Sequence, residues 1–185
     1  MAHLIETPEP ADAAELAELL LAGWLETYPH QGAGIDEPWI RTQRADQSGA
    51  AGAARWREFT ARAAAEPQRC FCRVVRQRGA AGGRGAAVGV LCGLRAPVEG
   101  GGTEVSLGPM YLRASVQGRG LGGRLMAEFL AWAEPDPIAL WVTEYNEPAV
   151  RFYLRHGFRP TGERELWRER LPNLRLRRPP TVAPH

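Results

Sequence analysis

A glycine-rich segment at residues 117–122 constrains the fold most, because the hydrophobic pattern of the chain changes there. Three stretches before it alternate in the manner of strands and are joined by short glycine-rich loops: residues 70–77, 87–94 and 104–112. After it, apolar residues recur at helical spacing as far as residue 133, and a compact apolar strand follows at residues 138–143. A βαβ unit therefore follows antiparallel strands, which makes the sheet a mixed one of the α/β class.

The other periodic segments extend this unit to a mixed, mostly antiparallel central sheet of about seven strands flanked by about four helices. A short first strand is predicted at residues 4–5, and a closing hairpin at residues 158–166 and 171–177. The helices are predicted over residues 12–28, 53–65, 121–133 and 146–156. The sequence thus predicts a single domain over residues 1–178 with a disordered tail at residues 179–185.

Two details of this prediction concern the first half of the chain. Asp12, with Glu15 three positions later, matches a capping box at the start of the first helix. Residues 30–54 show little periodicity and predict a loop with one short helical turn near residues 37–44. A loop of that length suggests either a lid over a site or a contact in a homodimer.

Composition and charge exclude several classes of function. The net charge of the 185 residues is +2, so no strong field argues for a nucleic-acid partner. The cysteines, Cys70, Cys72 and Cys92, are odd in number and have no metal-ligand spacing, which favours free thiols in a reducing compartment and no metal. The chain begins without a secretory signal and has no apolar run of roughly 20 residues, so we expect a cytoplasmic protein without a membrane partner.

The glycine-rich segment has the chemistry of a phosphate site. The first turn of a helix offers free N–H groups and the positive end of its dipole, and glycines at 118, 120 and 122 let the backbone approach a pyrophosphate closely. Arg119 and Arg124 add positive charge. The segment lacks the glycine order of a dinucleotide fold and the Gly-Lys-Ser/Thr of a nucleotide loop, and the chain has no lysine. A tight turn without a ligand is the alternative.

Two motifs carry a resemblance to a known family. Gln117-x-x-Gly120-x-Gly122 resembles the acyl-CoA-binding motif Gln/Arg-x-x-Gly-x-Gly/Ala of the GNAT superfamily of N-acetyltransferases. About 20 residues later, a helix that starts at Asn146, carries Tyr153 and ends in Gly-Phe is similar to the second motif of that family. The resemblance extends over about residues 3–178 and implies acetyl-CoA as the acyl donor, with no metal.

The resemblance also implies how the donor is bound. Two neighbouring parallel strands splay apart, and the main chain of Met110 and Leu112 binds the pantetheine arm. The N–H groups of the turn bind the pyrophosphate, and Gln117 helps at the same site; the residues of the turn are Gly118, Arg119, Gly120, Leu121 and Gly122. Asn146 caps the later helix and touches the cofactor. For Asn146, helix capping alone is the alternative. Pro109 after Gly108 predicts a bulge in the third of the long strands, because proline cannot donate to a ladder.

Catalysis by direct transfer needs an acid for the departing thiolate and a donor for the oxyanion. Tyr153 stands where the family places a tyrosine acid, and a core tyrosine is the alternative for it. The N–H of Leu112 is a candidate for the oxyanion.

The sequence offers more than one candidate for the general base. Ser106 stands where many family members carry a glutamate. Glu104 and Glu144 are rival candidates, and a surface carboxylate is the alternative for each. In a regular strand, Glu104 shares a face with residues 106, 108, 110 and 112. An amine of low pKa needs no base.

The acceptor pocket is expected to draw on Trp24, Tyr28, Tyr145 and the loop 30–54, with a core position as the alternative for Trp24. A small-molecule primary amine is the favoured acceptor. A protein N-terminus or lysine is the second hypothesis, and an acyl-CoA-binding regulatory module with little turnover is the third.

Overall fold

Seven strands form one sheet covered by five helices in the part of the chain that the computed structural model describes, residues 2–79 and 83–180. The strands are β1 (His3–Glu6), β2 (Cys70–Arg78), β3 (Arg84–Pro97), β4 (Thr103–Leu112), β5 (Ile138–Thr143), β6 (Arg159–Trp167) and β7 (Leu171–Arg178). The helices are α1 (Ala13–Thr27), α2 (Glu37–Gln43), α3 (Gly49–Ala65), α4 (Leu121–Ala133) and α5 (Glu147–Arg155). The predicted tail lies outside the described residues from residue 181 onward.

The strand order is β1-β2-β3-β4-β5-β7-β6, and only β4 and β5 run parallel. The parallel pair is joined by α4, as a crossover connection requires. The mixed, mostly antiparallel seven-stranded sheet predicted from the sequence is therefore confirmed.

Each face of the sheet carries its own hydrophobic core. Helices α4 and α5 pack on one face, where Leu125 and Phe129 are fully buried. Helices α1, α2 and α3 pack on the other, with Leu16 and Ile40 fully buried. We call these the α4/α5 face and the α1/α3 face. Strand residues alternate between them, so neighbours in β4 and β5 point to opposite sides.

The segment at residues 30–54 is more helical than predicted. Helix α3 begins at Gly49, four residues before the predicted start at residue 53, and α2 occupies most of the predicted turn near residues 37–44. The first turn of α3 is Gly-Ala-Ala-Gly and mostly exposed, so it carries no apolar stripe that periodicity could detect. Ile40 of α2 and Ile35 before it are buried, which anchors the segment to the α1/α3 face.

The predicted capping box at Asp12 and Glu15 is wrong, because both side chains serve a buried arginine. Asp12 precedes α1 but makes no side-chain cap, and instead accepts from the N–H of Glu9 at 2.8 Å. Arg76, which is 4% exposed, forms ion pairs with Glu6 at 3.0 Å, Asp12 at 2.8 Å and Glu15 at 2.6 Å. These pairs tie β1 and the start of α1 to β2.

No helix among the described residues is long and apolar enough to cross a membrane.

Candidate active site

Strands β4 and β5 separate shortly after they meet. Only two parallel pairs join them, Val105 with Ile138 and Ser106 with Ala139. Beyond Ser106 the register of β4 with its other neighbour shifts by one residue, which leaves Cys92 of β3 opposite both Gly108 and Pro109. This is the bulge predicted at that position. A bulge bends its strand, so it directs the last part of β4 away from β5.

The main chain beyond the bulge faces the opening. The N–H of Arg113 donates to the carbonyl of Val88 on β3 at 2.9 Å. Since hydrogen-bonded and non-hydrogen-bonded pairs alternate along an antiparallel ladder, Tyr111 also bonds to β3, whereas the polar groups of Met110 and Leu112 point away from it. Both residues therefore present main-chain groups to the gap where β5 has diverged.

A cleft of about 780 Å³ occupies this gap, and residues of both faces of the sheet line it. Its walls come from β4, β5, the glycine turn, the end of α1 and the helix α5. All four tyrosines of the chain line it. Ten further residues line the cleft beside the tyrosines: Met110, Leu112, Gln117, Gly118, Gly120, Gly122, Trp141, Asn146, Phe152 and Arg155.

The glycine turn forms one end of the cleft. Gly118 and Gly120 have φ angles of +72° and +76°, in the left-handed region that favours glycine. The first helical bond of α4 runs from the N–H of Arg124 to the carbonyl of Gly120 at 3.1 Å. The N–H groups of Leu121, Gly122 and Gly123 therefore have no partner within the helix and are free for an anion.

Two predicted polar residues flank the turn. The Gln117 side chain donates through Nε2 to the Leu112 carbonyl at 2.9 Å, which holds the end of β4 against the turn. Asn146 accepts from the N–H of Ala149 through Oδ1 at 3.3 Å and also lines the cleft. Asn146 is thus a helix cap and also a residue of the cleft wall. Arg119 is exposed and makes no ion pair with any described residue.

Tyr153 lies on the α4/α5 side of the cleft. Its ring packs against Phe152 and Phe158 and is 8% exposed, yet its hydroxyl makes no hydrogen bond within the described part of the chain. Burial raises the pKa of Tyr153 well above its usual range. At neutral pH the hydroxyl is therefore protonated and available as a donor to whatever occupies the cleft.

The other three tyrosines form a hydrogen-bonded group on the α1/α3 side. The hydroxyls of Tyr28 and Tyr111 lie 2.8 Å apart, and the Tyr145 hydroxyl donates to the Tyr28 carbonyl at 3.1 Å. Burial raises the pKa of Tyr28 and of Tyr111, and raises that of Tyr145 to about 12. All three are neutral donors at pH 7. Sequence reasoning missed Tyr111, although its place between two cleft residues of a strand was a usable signal.

The candidate bases are not brought to the cleft. Glu104 forms ion pairs with Arg175 at 3.3 Å and Arg177 at 3.1 Å. Glu144 pairs with Arg164 at 2.7 Å and is 43% exposed. The expectation that Glu104 shares a face with Met110 and Leu112 fails because the bulge shifts the alternation.

One carboxylate does line the cleft. Glu26 pairs with Arg113 at 2.7 Å and accepts from the N–H of Ala114 at 3.1 Å, so it is already engaged. It stands beside the end of β4.

Trp24 takes the core position that was its alternative. It is 8% exposed, packs in tilted contact against Tyr28 at 4.4 Å and Trp167 at 5.2 Å between ring centroids, and does not line the cleft. Trp24 is therefore a packing partner of Tyr28 and not a residue of the cleft wall.

A second cavity of about 390 Å³ lies on the α1/α3 face, and its wall is mainly apolar. It includes Leu20, Trp56, Phe59, Cys92, Leu94 and Ser106. Gly108 and Pro109 line both cavities, so the bulge is the point where the two meet. The described residues contain no cluster of three or more side chains suited to a metal ion.

Comparison with known proteins agrees with this geometry. A sequence model of the family described as "Acetyltransferase (GNAT) family" matches residues 15–158. No curated protein matches the chain in sequence.

Solved structures share the fold at low sequence identity. PaiA N-acetyltransferase from Thermoplasma acidophilum, in complex with coenzyme A, is similar with a TM-score of 0.74 and 14% identity, over 97% of this chain and 99% of that one. A GNAT-family acetyltransferase from Streptococcus pneumoniae gives 0.72 and 20%, over 96% and 98%. NAA60 from Arabidopsis thaliana, in complex with a bisubstrate analogue, gives 0.58 and 14%, over 95% and 97%.

Proposed function

This chain belongs to the GNAT acetyltransferase family, and from that premise we propose that it moves the acetyl group of acetyl-CoA to the primary amine of a small molecule by direct attack. The observation that carries the proposal is the cleft between β4 and β5, which has free helix N–H groups at one end and an unpaired tyrosine hydroxyl on its wall.

The residues around the cleft fit the donor part by part. The free N–H groups at the start of α4, with Gln117 and Arg119 beside them, suit the pyrophosphate. The main-chain groups of Met110 and Leu112 suit the amides of the pantetheine arm, which would lie beside β4 as an added strand. Asn146 lines the same cleft, and its side-chain N–H₂ group would be available to the donor.

The chemistry begins with a neutral amine, because an ammonium has no lone pair. Its nitrogen attacks the thioester carbonyl carbon, and the carbonyl oxygen takes the negative charge. The N–H of Leu112 is our candidate donor to that oxyanion. The C–S bond then breaks as the carbonyl re-forms, and the departing sulfur takes the proton of the Tyr153 hydroxyl. The amine proton passes to water, from which the Tyr153 phenolate regains a proton, so the net products are the amide and the free thiol.

We assign no carboxylate base to this reaction. Glu26 is the carboxylate among the cleft-lining residues, and Arg113 and the N–H of Ala114 hold it. Glu104 and Glu144, the candidates from sequence, are paired with arginines. We expect Glu104→Gln and Glu144→Gln to retain kcat/KM within about twofold, because a general base contributes roughly 100-fold or more.

A small acceptor is favoured over a protein because the second cavity, of about 390 Å³, meets the cleft at the bulge on the face opposite α4 and α5. Such a volume is at the lower end of the range for small-molecule pockets.

The test is release of free thiol from acetyl-CoA with a panel of primary amines and, in parallel, with peptides bearing a free N-terminus or a lysine. Turnover with small amines and not with peptides is the expected result. Turnover with peptides alone would favour a protein acceptor, and binding of coenzyme A without turnover would favour a regulatory module.

A further inference from the structure

Arg44 is a buried cation without a partner. It follows α2, is 9% exposed, and its guanidinium lies 4.2 Å above the ring of Trp24. No described residue forms an ion pair or a hydrogen bond with that guanidinium. A buried charge without an ion pair or hydrogen bond from the protein destabilises a fold unless water or a ligand compensates it.

The carboxylate that affects the pKa of Arg44 does not supply the compensation. Asp46 is close enough to affect the pKa of Arg44, but its own carboxylate pairs with Arg55 at 3.0 Å. Burial lowers the pKa of Arg44, against smaller opposing effects of Tyr111, Asp46 and Tyr28.

The nitrogens of Arg44 nevertheless reach open space. Among the described residues, the side-chain nitrogens that are sealed from solvent and lack a hydrogen bond are both in Arg76, and they form ion pairs. No nitrogen of Arg44 is among them. The unpaired nitrogens of Arg44 are therefore not sealed, and water or a ligand can approach them.

Arg44 lines neither cavity itself, but the residues around it do. Leu20, Trp24 and Tyr28 succeed one another at four-residue spacing and so share one side of α1. The Arg44 guanidinium covers the Trp24 ring, and of the two neighbours of Trp24 on that side, Leu20 lines the second cavity and Tyr28 lines the cleft. Tyr28 and Tyr111, whose hydroxyls lie 2.8 Å apart, are also close enough to Arg44 to affect its pKa.

From this arrangement we propose that the acceptor is an amine that also carries an anionic group, a carboxylate or a phosphate ester, and that Arg44 binds that group beside the Tyr28 and Tyr111 hydroxyls. A planar guanidinium matches both anions through two parallel hydrogen bonds. The contact with the Trp24 ring holds the planar guanidinium in one orientation before the ligand binds. The inference rests on the proposed function, because it names a property of the acceptor.

The experiment compares amines of similar size: propylamine, β-alanine and O-phosphoethanolamine, each as acceptor with acetyl-CoA. Values of kcat/KM are corrected for the fraction of neutral amine. The wild-type protein should prefer at least one anionic amine over propylamine by about tenfold or more, the effect of one good charged pair. Comparison of β-alanine with O-phosphoethanolamine shows whether the site prefers a carboxylate or a phosphate ester.

The variant Arg44→Met should remove that preference and leave propylamine within about twofold. Its melting temperature should stay level or rise, because an uncompensated buried charge has been replaced by an apolar chain of similar length. Arg41→Met is the matched control, since Arg41 lies on α2, is exposed and pairs with Glu37 at 2.8 Å. Arg44→Lys keeps the positive charge but lacks the planar guanidinium with its two parallel N–H donors, so it should retain part of the preference.

Equal rates for propylamine and both anionic amines, or a preference that survives in Arg44→Met, would overturn the inference while leaving acetyl transfer intact. If no amine is acetylated, the proposed function fails, and calorimetric titration of β-alanine and O-phosphoethanolamine into the protein with coenzyme A decides the inference separately. Binding that Arg44→Met abolishes supports it, and no binding overturns it.

Discussion

At the scale of single residues, the site depends on hydroxyls that burial keeps protonated. Tyr153 has no hydrogen-bond partner within the described residues, whereas Tyr28, Tyr111 and Tyr145 hold one another. An unpaired polar group in a buried position lowers stability unless water or a ligand supplies its partner. We therefore propose Tyr153 as the acid, whereas the hydrogen-bonded hydroxyls of the other three tyrosines lie on the α1/α3 side of the cleft.

Replacing Tyr153 by phenylalanine should lower kcat by about 100-fold or more, because the thiolate would leave without an acid. The dissociation constant for coenzyme A should change less than about twofold, and the melting temperature should hardly move, since no protein hydrogen bond is lost. Thiol release and calorimetric titration measure the two effects.

Tyr145→Phe is the control for that variant, because it removes a hydroxyl from the same cleft together with one bond to the Tyr28 carbonyl. We expect a loss of stability of about 1 kcal/mol and a much smaller loss of kcat. Equal effects of the two variants on kcat would remove the acid role from Tyr153.

At the scale of elements, the turn from β4 to α4 determines where the free N–H groups point. Gly120 caps α4 in the left-handed region, and a Cβ there would meet no atom within 4 Å. The requirement for glycine is thus conformational and not steric. Gly123 lies three residues later, in the first turn of α4. Its φ is not positive, and a Cβ there would also meet no atom within 4 Å.

Gly120→Ala should therefore cost about 1–2 kcal/mol in the free energy of unfolding and weaken coenzyme A binding by about tenfold as the N–H groups reorient. Gly123→Ala should be neutral or stabilise α4 by up to about 1 kcal/mol, with binding kept. Chemical denaturation and calorimetry of both variants provide the comparison. A loss of binding in Gly123→Ala and not in Gly120→Ala would contradict the assignment of the turn.

The elements were largely predictable, because most carry strong local signals. The alternating strands, the glycine turn and the proline of the bulge all appear in the sequence, and α4 and β5 have the predicted bounds. The start of α3 was not predictable, because its first turn has no apolar stripe.

Contacts between distant elements were also not predictable. The pairing of Tyr28 with Tyr111 joins residues 83 positions apart, and the lack of a partner for Arg44 is a property of the folded arrangement. The pairing of Glu104 with two arginines of β7 belongs to the same class.

At the scale of the whole molecule, the buried Arg76 joins the edge of the sheet to α1. Burial pushes the pKa of Asp12 upward, but the hydrogen bond from the Glu9 N–H and the charges of Arg76 and Arg84 outweigh it, so the pKa of Asp12 is lowered on folding. Its carboxylate therefore stabilises the fold above the unfolded pKa, about 3.9, and this contribution is lost as the pH falls through the lower folded value.

Asp12→Asn should accordingly destabilise the protein most near neutral pH, and the difference from wild type should shrink as the pH falls below about 5 and through the lowered pKa of the folded state. Urea denaturation at a series of pH values gives this difference. Asp46→Asn, which removes an exposed pair with Arg55, is the control and should cost less than about 1 kcal/mol. A difference for Asp12→Asn that grows in acid would contradict the assignment.

The most direct test of the central claim, that the cleft between β4 and β5 holds acetyl-CoA, is thermal melting of the protein with acetyl-CoA, coenzyme A, ATP and NAD in separate titrations. A ligand that binds only the native state adds about 2.7 kcal/mol at 100 times its dissociation constant, which raises the melting temperature by roughly 5–10 °C in a chain of this size. We predict such a rise with acetyl-CoA and coenzyme A and little with ATP or NAD. A melting temperature that does not move at millimolar acetyl-CoA and coenzyme A would contradict the account.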